Sequence, residues 1–259
     1  SEAIDFKKLF PPIYLTIVFG LVLIAASDLT LQQWFPGEAS TYLKYGLIVL
    51  VAGLIYQYFG LLYSILALCM TLTATAELGT QQWVEKILGN SGAHPMLILA
   101  MITGLMAVGR YFGGPLIHKF KPIGVLFGSA VVATLGIGLM SVATGGMVYF
   151  AAVLFAIGVM YFWPTMIGAA AEYTPQTGAL GLSFIGGVGM FATSLWQPVI
   201  GGWLDTERAS AIANGLAEEA ADLAAGQATL DNLAVFPAIL IVLFGILYFT
   251  RGKWQPKAI

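Results

Sequence analysis

The chain has 259 residues, of which 59% are hydrophobic and 9% are charged, and its net charge is −2. A soluble domain carries about 25% charged residues, so this composition leaves too little polar surface for a water-soluble globule. The absence of a basic excess also argues against a nucleic-acid partner, which needs a basic face. The predicted fold class is therefore all-α, a polytopic bundle of transmembrane helices in contact with membrane lipid.

Apolar runs long enough to cross a bilayer recur along the whole chain. A crossing helix needs about 20 predominantly apolar residues. On that criterion we predict eight spans, at about 11–27, 43–59, 61–84, 95–117, 123–142, 146–170, 178–203 and 233–250. The run 43–84 is nearly continuous, and only a tight turn at 57–60 divides it into two helices. One long tilted helix is the alternative, and it gives seven spans.

The positions of the basic residues favour eight spans, because Lys and Arg concentrate in cytoplasmic loops. With eight spans, three basic clusters lie on one side of the membrane, whereas with seven the first cluster lies opposite the other two. The prediction is therefore eight spans with both termini in the cytoplasm. The clusters are Lys7 with Lys8, then His118, Lys119 and Lys121, and finally Arg251, Lys253 and Lys257.

The only long polar segment, 204–232, is rich in alanine and carries six acidic residues against a single arginine, Arg208. We predict an acidic external loop here, although its middle, about 208–225, has the propensity for a surface helix. The chain then divides into two N-terminal transmembrane helices at 1–60 and a six-helix bundle at 61–259 that includes this loop.

A few charged and polar residues interrupt the spans, and a charge inside a bilayer costs about 2.5–3.5 kcal/mol. Glu77 lies in the outer half of the third span. It shares a helix face with Gln81, four residues later, and Trp83 follows closely. We predict that these residues bind a solute or couple its movement to a proton or cation. The alternative is a glutamate close enough to the outer surface to be solvated.

Arg110 lies in the inner half of the fourth span. Its guanidinium is always charged, so it must either reach the cytoplasmic interface or pair with an acid. Glu172, at the inner end of the sixth span, is the predicted partner in a gating or structural ion pair.

Two aromatic residues lie beside prolines within spans, in Trp163–Pro164 and in Trp196–Gln197–Pro198. Prolines bend helices, aromatic rings stack on sugar faces, and an amide orients a bound hydroxyl. Trp163, Trp196 and Gln197 are therefore predicted solute contacts.

Glycine is frequent within the spans, and small residues allow transmembrane helices to approach closely. The two GxxxG patterns, at 109–113 and 124–128, predict such contacts. Cys69, His94 and His118 have no metal-binding spacing. The sequence contains no recognisable catalytic constellation or cofactor motif, so we predict no enzyme activity, no cofactor and no metal site.

From about Tyr63 to Tyr248 the chain resembles the C-terminal half of a major facilitator superfamily transporter, and most closely the bacterial sugar-permease-type members. The 104–119 stretch resembles the glycine-and-basic signature around the eighth helix of that superfamily. The residues that carry the resemblance are those at 75–83, 104–119, 162–165, 172–181, 186–190 and 196–198.

The resemblance implies a multi-pass protein of the bacterial inner membrane that moves a small polar solute, such as a sugar, by alternating access, with Glu77 as the coupling acid. The family has twelve helices in two halves, so eight spans imply a partner, either a second half-bundle or another membrane subunit. The alternative function is a transporter-derived accessory subunit of a larger membrane complex that transports nothing itself.

Overall fold

The computed structural model describes residues 38–254, without the side chains of Glu38, Ala39, His118 and Lys253. These residues form helices joined by short turns, and no strand occurs among them. The α-helices are α1 (Glu38–Ala74), α2 (Thr80–Ile87), α3 (Pro95–Tyr111), α4 (Gly114–Met140), α5 (Met147–Val159), α6 (Phe162–Tyr173), α7 (Gly178–Ala213) and α8 (Glu218–Thr250). A π-helical turn spans Thr75–Gly79, and 3₁₀ turns span Pro175–Thr177 and Arg251–Lys253.

Five helical segments between residues 38 and 254 are long and apolar enough to cross a membrane: Ser40–Ile87, Lys119–Met140, Met147–Tyr173, Pro175–Ala213 and Glu218–Thr250. Large apolar side chains lie on the outer surface of the bundle, as contact with lipid requires; Phe249, for example, is 80% exposed. The described residues thus form an all-helical bundle suited to a membrane, as the composition predicts. The number of crossings stays a prediction, and the span 11–27, Lys7, Lys8 and Lys257 lie outside the described residues.

Helix α1 breaks at Gly60, whose φ of 82° and ψ of 176° are not helical. This φ lies in the region that glycine adopts without a steric cost. Residues on both sides of the break line one apolar cavity of about 320 Å³, among them Ile48 and Thr71. On one straight helix these two residues would lie about 35 Å apart. The two arms of α1 therefore fold back on each other, which favours the predicted turn at 57–60 over a single long helix.

The predicted span at 95–117 is not one continuous helix. The span predicted at 95–117 ends at Tyr111, and α4 begins at Gly114 and is itself interrupted at Lys121, before Pro122. A residue that precedes proline is disfavoured in helical conformation, and Lys121 has a φ of 63°. The predicted basic loop is thus a short helical segment that ends in a kink.

The span predicted at 146–170 is also interrupted, because α5 ends at Val159 and α6 begins at Phe162. Pro164, in the first turn of α6, has no N–H with which to continue the hydrogen-bond ladder toward α5. The break at 160–161 follows from that missing donor, and it lies beside the candidate site.

The prediction of a long acidic loop at 204–232 is wrong. Helix α7 continues to Ala213, α8 begins at Glu218, and a short turn with Gly215 at a φ of 88° joins them. Alanine has the highest helix propensity of any residue, and acidic residues are favourable in a first helical turn, which explains why an acidic alanine-rich stretch is helical. Arg208 forms a salt bridge with Asp222 across this helical hairpin.

Helices α4 and α5 make a close backbone contact through one glycine from each. A Cβ on Gly136 would lie 2.5 Å from the Cα of Phe155, and a Cβ on Gly158 would lie 2.5 Å from the Cα of Ala133. By contrast, a Cβ on Gly128, in the predicted pattern 124–128, would meet no atom within 4 Å. The GxxxG pattern therefore did not identify the close backbone contact between α4 and α5.

Candidate functional site: a buried ion pair beside a helix break

The central feature of the site is an ion pair between Glu77 and Arg110. Glu77 lies in the π-helical turn Thr75–Gly79 and is 3% exposed. Its Oε1 accepts a hydrogen bond of 2.7 Å from Nη2 of Arg110, whose side chain is 37% exposed. The pair joins the first long helical segment to the last turn of α3.

The predicted partner of Arg110 was wrong, because Arg110 pairs with Glu77 and Glu172 is exposed. The sequence analysis placed Glu77 in the outer half of one span and Arg110 in the inner half of the next. The structure instead brings them into direct contact, Glu77 in the π-helical turn and Arg110 in the last turn of α3.

Arg110 makes a second contact, with the break between α5 and α6. Its Nε donates a hydrogen bond of 2.7 Å to the backbone carbonyl of Met160. The guanidinium therefore bridges a carboxylate on one helical segment and a free carbonyl at the end of another. Arginine suits this role because its donors are fixed in one plane and point in different directions.

Gly109, in the last turn of α3, and Gly113, just after its end, allow this part of the chain to approach the break. A Cβ on Gly109 would collide with the sulfur of Met160, and a Cβ on Gly113 would lie 2.6 Å from a ring carbon of Tyr161. The hydroxyl of Tyr161 donates a hydrogen bond of 3.0 Å to the carbonyl of Gly109. Both glycines of the predicted GxxxG pattern at 109–113 thus make close contacts with the helix break, and these contacts position Arg110 against it.

Gln81 and Trp83 lie on α2, directly after the π-helical turn. The side-chain amide of Gln81 donates to the sulfur of Met106 at 3.1 Å. The indole N–H of Trp83 donates to Oε1 of Gln197 on α7 at 2.5 Å. Gly201 makes room for the Trp83 ring, since a Cβ there would lie 2.9 Å from it. The structure therefore joins two of the predicted residues, Trp83 and Gln197, across helices.

The two remaining aromatic candidates lie in different surroundings. The half-buried Trp163 ring packs against α7 at Gly189, where a Cβ would lie 3.2 Å from the ring. The Trp196 ring packs against Trp203 and Phe236, with centroids 5.8 and 4.7 Å away, and borders the apolar cavity beside α1. Trp196 therefore has apolar neighbours, in contrast to the other candidates.

Three buried polar atoms have no hydrogen-bond partner within the described part of the chain: Oε2 of Glu77, Nε2 of Gln197 and the hydroxyl of Thr165. A buried polar group without a partner costs about 1–3 kcal/mol. A carboxylate oxygen accepts, an amide N–H donates and a hydroxyl does both, so each of these groups can hydrogen-bond a hydroxyl group. Sequence reasoning missed Thr165 and the Met160 carbonyl, although Pro164 was a visible signal that one carbonyl near it lacks its helical partner.

Comparison with protein families, with characterised proteins and with solved structures finds no match to this chain.

Proposed function

We propose that this chain is a secondary transporter, or half of one, that moves a small polar solute such as a sugar across a bacterial inner membrane by proton-coupled alternating access. The observation that carries the proposal is the ion pair between the buried carboxylate of Glu77 and the partly exposed guanidinium of Arg110. Ionisable residues within membrane segments are costly and mark solute pathways and proton relays. A purely structural role explains the pair less well, because a protein with apolar residues in place of a buried ion pair is often as stable.

The surroundings of the pair support a part in coupling. Glu77 has one carboxylate oxygen bonded to Arg110 and the other without a partner in the described residues. A proton on this carboxyl would remove the charge that Arg110 balances and would supply an O–H donor for a solute. Arg110 is exposed enough to exchange that partner for water or solute.

The helices around the pair are irregular in ways that allow movement. Glu77 lies in a π-helical turn, a feature that is rare and frequent at functional sites, and Arg110 contacts the break at Met160. Interrupted helices are typical of the moving parts and binding sites of transporters. In the proposed mechanism, a second half-bundle closes the site opposite Glu77, and both termini lie in the cytoplasm.

A proton-flux assay tests the proposal. Inverted membrane vesicles with the chain and an internal pH dye receive a panel of sugars and polyols. At least one should change the internal pH. Glu77→Gln should abolish that change, because glutamine keeps the shape of the side chain but takes up no proton. Glu85→Gln is the control, since Glu85 is an exposed acid on the neighbouring α2.

Solute-driven proton movement that persists in Glu77→Gln would remove Glu77 from coupling. If no solute moves protons in any variant and the chain purifies in a fixed ratio with other membrane proteins, the accessory-subunit function replaces the transporter.

A further inference from the structure

The carbonyl of Met160 has no helical hydrogen-bond partner, and Pro164, in the first turn of α6, explains why. In a continuous helix, the carbonyl of residue 160 would accept a hydrogen bond from the N–H of residue 164. Residue 164 is proline and has no N–H. The ladder of α6 begins one residue later, with the N–H of Thr165 bonded to the carbonyl of Tyr161 at 3.1 Å.

The carbonyl that Pro164 leaves free is the one that Arg110 occupies, through Nε at 2.7 Å. The same guanidinium reaches Glu77 through Nη2 at 2.7 Å. One side chain therefore connects the acid to the break.

We infer that Pro164 is a positioning residue, which keeps the Met160 carbonyl available so that Arg110 transmits the charge state of Glu77 to the break between α5 and α6. The inference rests on the proposed function for its purpose, but its geometry is independent of any solute. When Glu77 is charged, Arg110 binds both the Glu77 carboxylate and the Met160 carbonyl, and it holds the break between α5 and α6 in its present conformation. With Glu77 neutral, Arg110 loses its ionic partner, and the break is free to open or straighten.

Hydrogen–deuterium exchange of the backbone amides tests this inference without a transport assay. The measurement uses the full chain in lipid nanodiscs and follows peptides that cover 157–166. Glu77→Gln should speed exchange at the break about tenfold, because a charge-assisted hydrogen bond is lost and local opening becomes easier. In a Pro164→Ala background the same Glu77→Gln change should leave exchange there unaltered, because the alanine N–H bonds to the Met160 carbonyl and displaces Arg110.

Two further variants keep the test decisive. Pro237→Ala, in the interior of α8, is the matched control, and in that background Glu77→Gln should still accelerate exchange at the break. Arg110→Lys keeps the charge but has a single terminal nitrogen and no Nε donor, so it should accelerate exchange as Glu77→Gln does, even if Pro164→Ala does not fold.

Exchange at the break that is the same in Glu77→Gln, Arg110→Lys and the unmodified chain would overturn the inference. Equal acceleration by Glu77→Gln with and without Pro164 would also overturn it. Failure of the proton-flux assay alone would count against the proposed function and would leave these exchange results intact.

Discussion

Arg110→Gln is expected to lower the melting temperature of the detergent-solubilised chain by about 4–8 °C, which corresponds to about 2 kcal/mol for a protein of this size. The physical reason is that Glu77 is 3% exposed and would lose the cation that balances it. Removing one partner of a fully buried pair costs about 3–5 kcal/mol. We expect a smaller loss of stability for Arg110→Gln because the Arg110 side chain is 37% exposed and solvent already screens part of the interaction.

The companion variant separates the ion pair from other effects of the arginine. Glu77→Gln combined with Arg110→Gln should recover part of the lost stability, because the double variant buries no unpaired charge. Arg208→Gln is the control, since its salt bridge with Asp222 is exposed on both sides, at 42% and 36%, and such pairs contribute about 0–1 kcal/mol. Additive losses from Glu77→Gln and Arg110→Gln would mean that the two side chains do not interact.

Glu77 and Arg110 could each be selected from the sequence, because a charge within an apolar run is visible without a structure. Their pairing could not be predicted, because it depends on how two helices that are distant in sequence pack against each other. The predicted spans put Glu77 in an outer half and Arg110 in an inner half, so Glu172, at an inner end, was the predicted partner, and the span of Arg110 was drawn to residue 117. The helix ends six residues earlier, at Tyr111, where no proline marks the boundary; the next one is Pro115.

Similar limits explain the other differences. The turn at Gly60 was predictable, because a run of more than 40 apolar residues must bend and glycine permits the required φ. The segment 204–232 was predicted as a loop because its charge outweighed the helix propensity of its alanines. The glycine contact between α4 and α5 was not predicted, because a GxxxG search finds small residues spaced within one helix. Gly136 and Gly158 are single glycines on two different helices.

The irregular parts of the backbone meet at the polar site. The π-helical turn at Glu77, the end of α3 at Arg110 and the break at Met160 come from different parts of the sequence, and the guanidinium of Arg110 contacts the other two. By contrast, α4 and α5 are regular where they pack together, and their backbones touch directly at Gly136 and Gly158. The α4–α5 contact therefore leaves less room for movement than the side-chain contacts of Arg110 around Glu77.

Gly136→Ala is expected to destabilise the chain by about 3 kcal/mol, at the upper end of the range for overpacking, and to lower its melting temperature by about 6–12 °C. The added methyl would lie 2.5 Å from the Cα of Phe155 and 2.9 Å from its Cβ. Backbone atoms cannot rotate away as the end of a side chain can, so α4 and α5 would have to separate along their contact.

Gly138→Ala, on the same helix, is the matched control, because a Cβ there would meet no atom within 4 Å. Alanine is better than glycine in a helix by about 1 kcal/mol, so this variant should keep or slightly raise the melting temperature. The comparison holds helix, residue type and chemical change constant, and only the distance to the facing backbone differs. If the two variants melt at the same temperature, the α4–α5 contact is wider than the structure has it, and the bundle lacks the rigid element against which the Glu77 site would move.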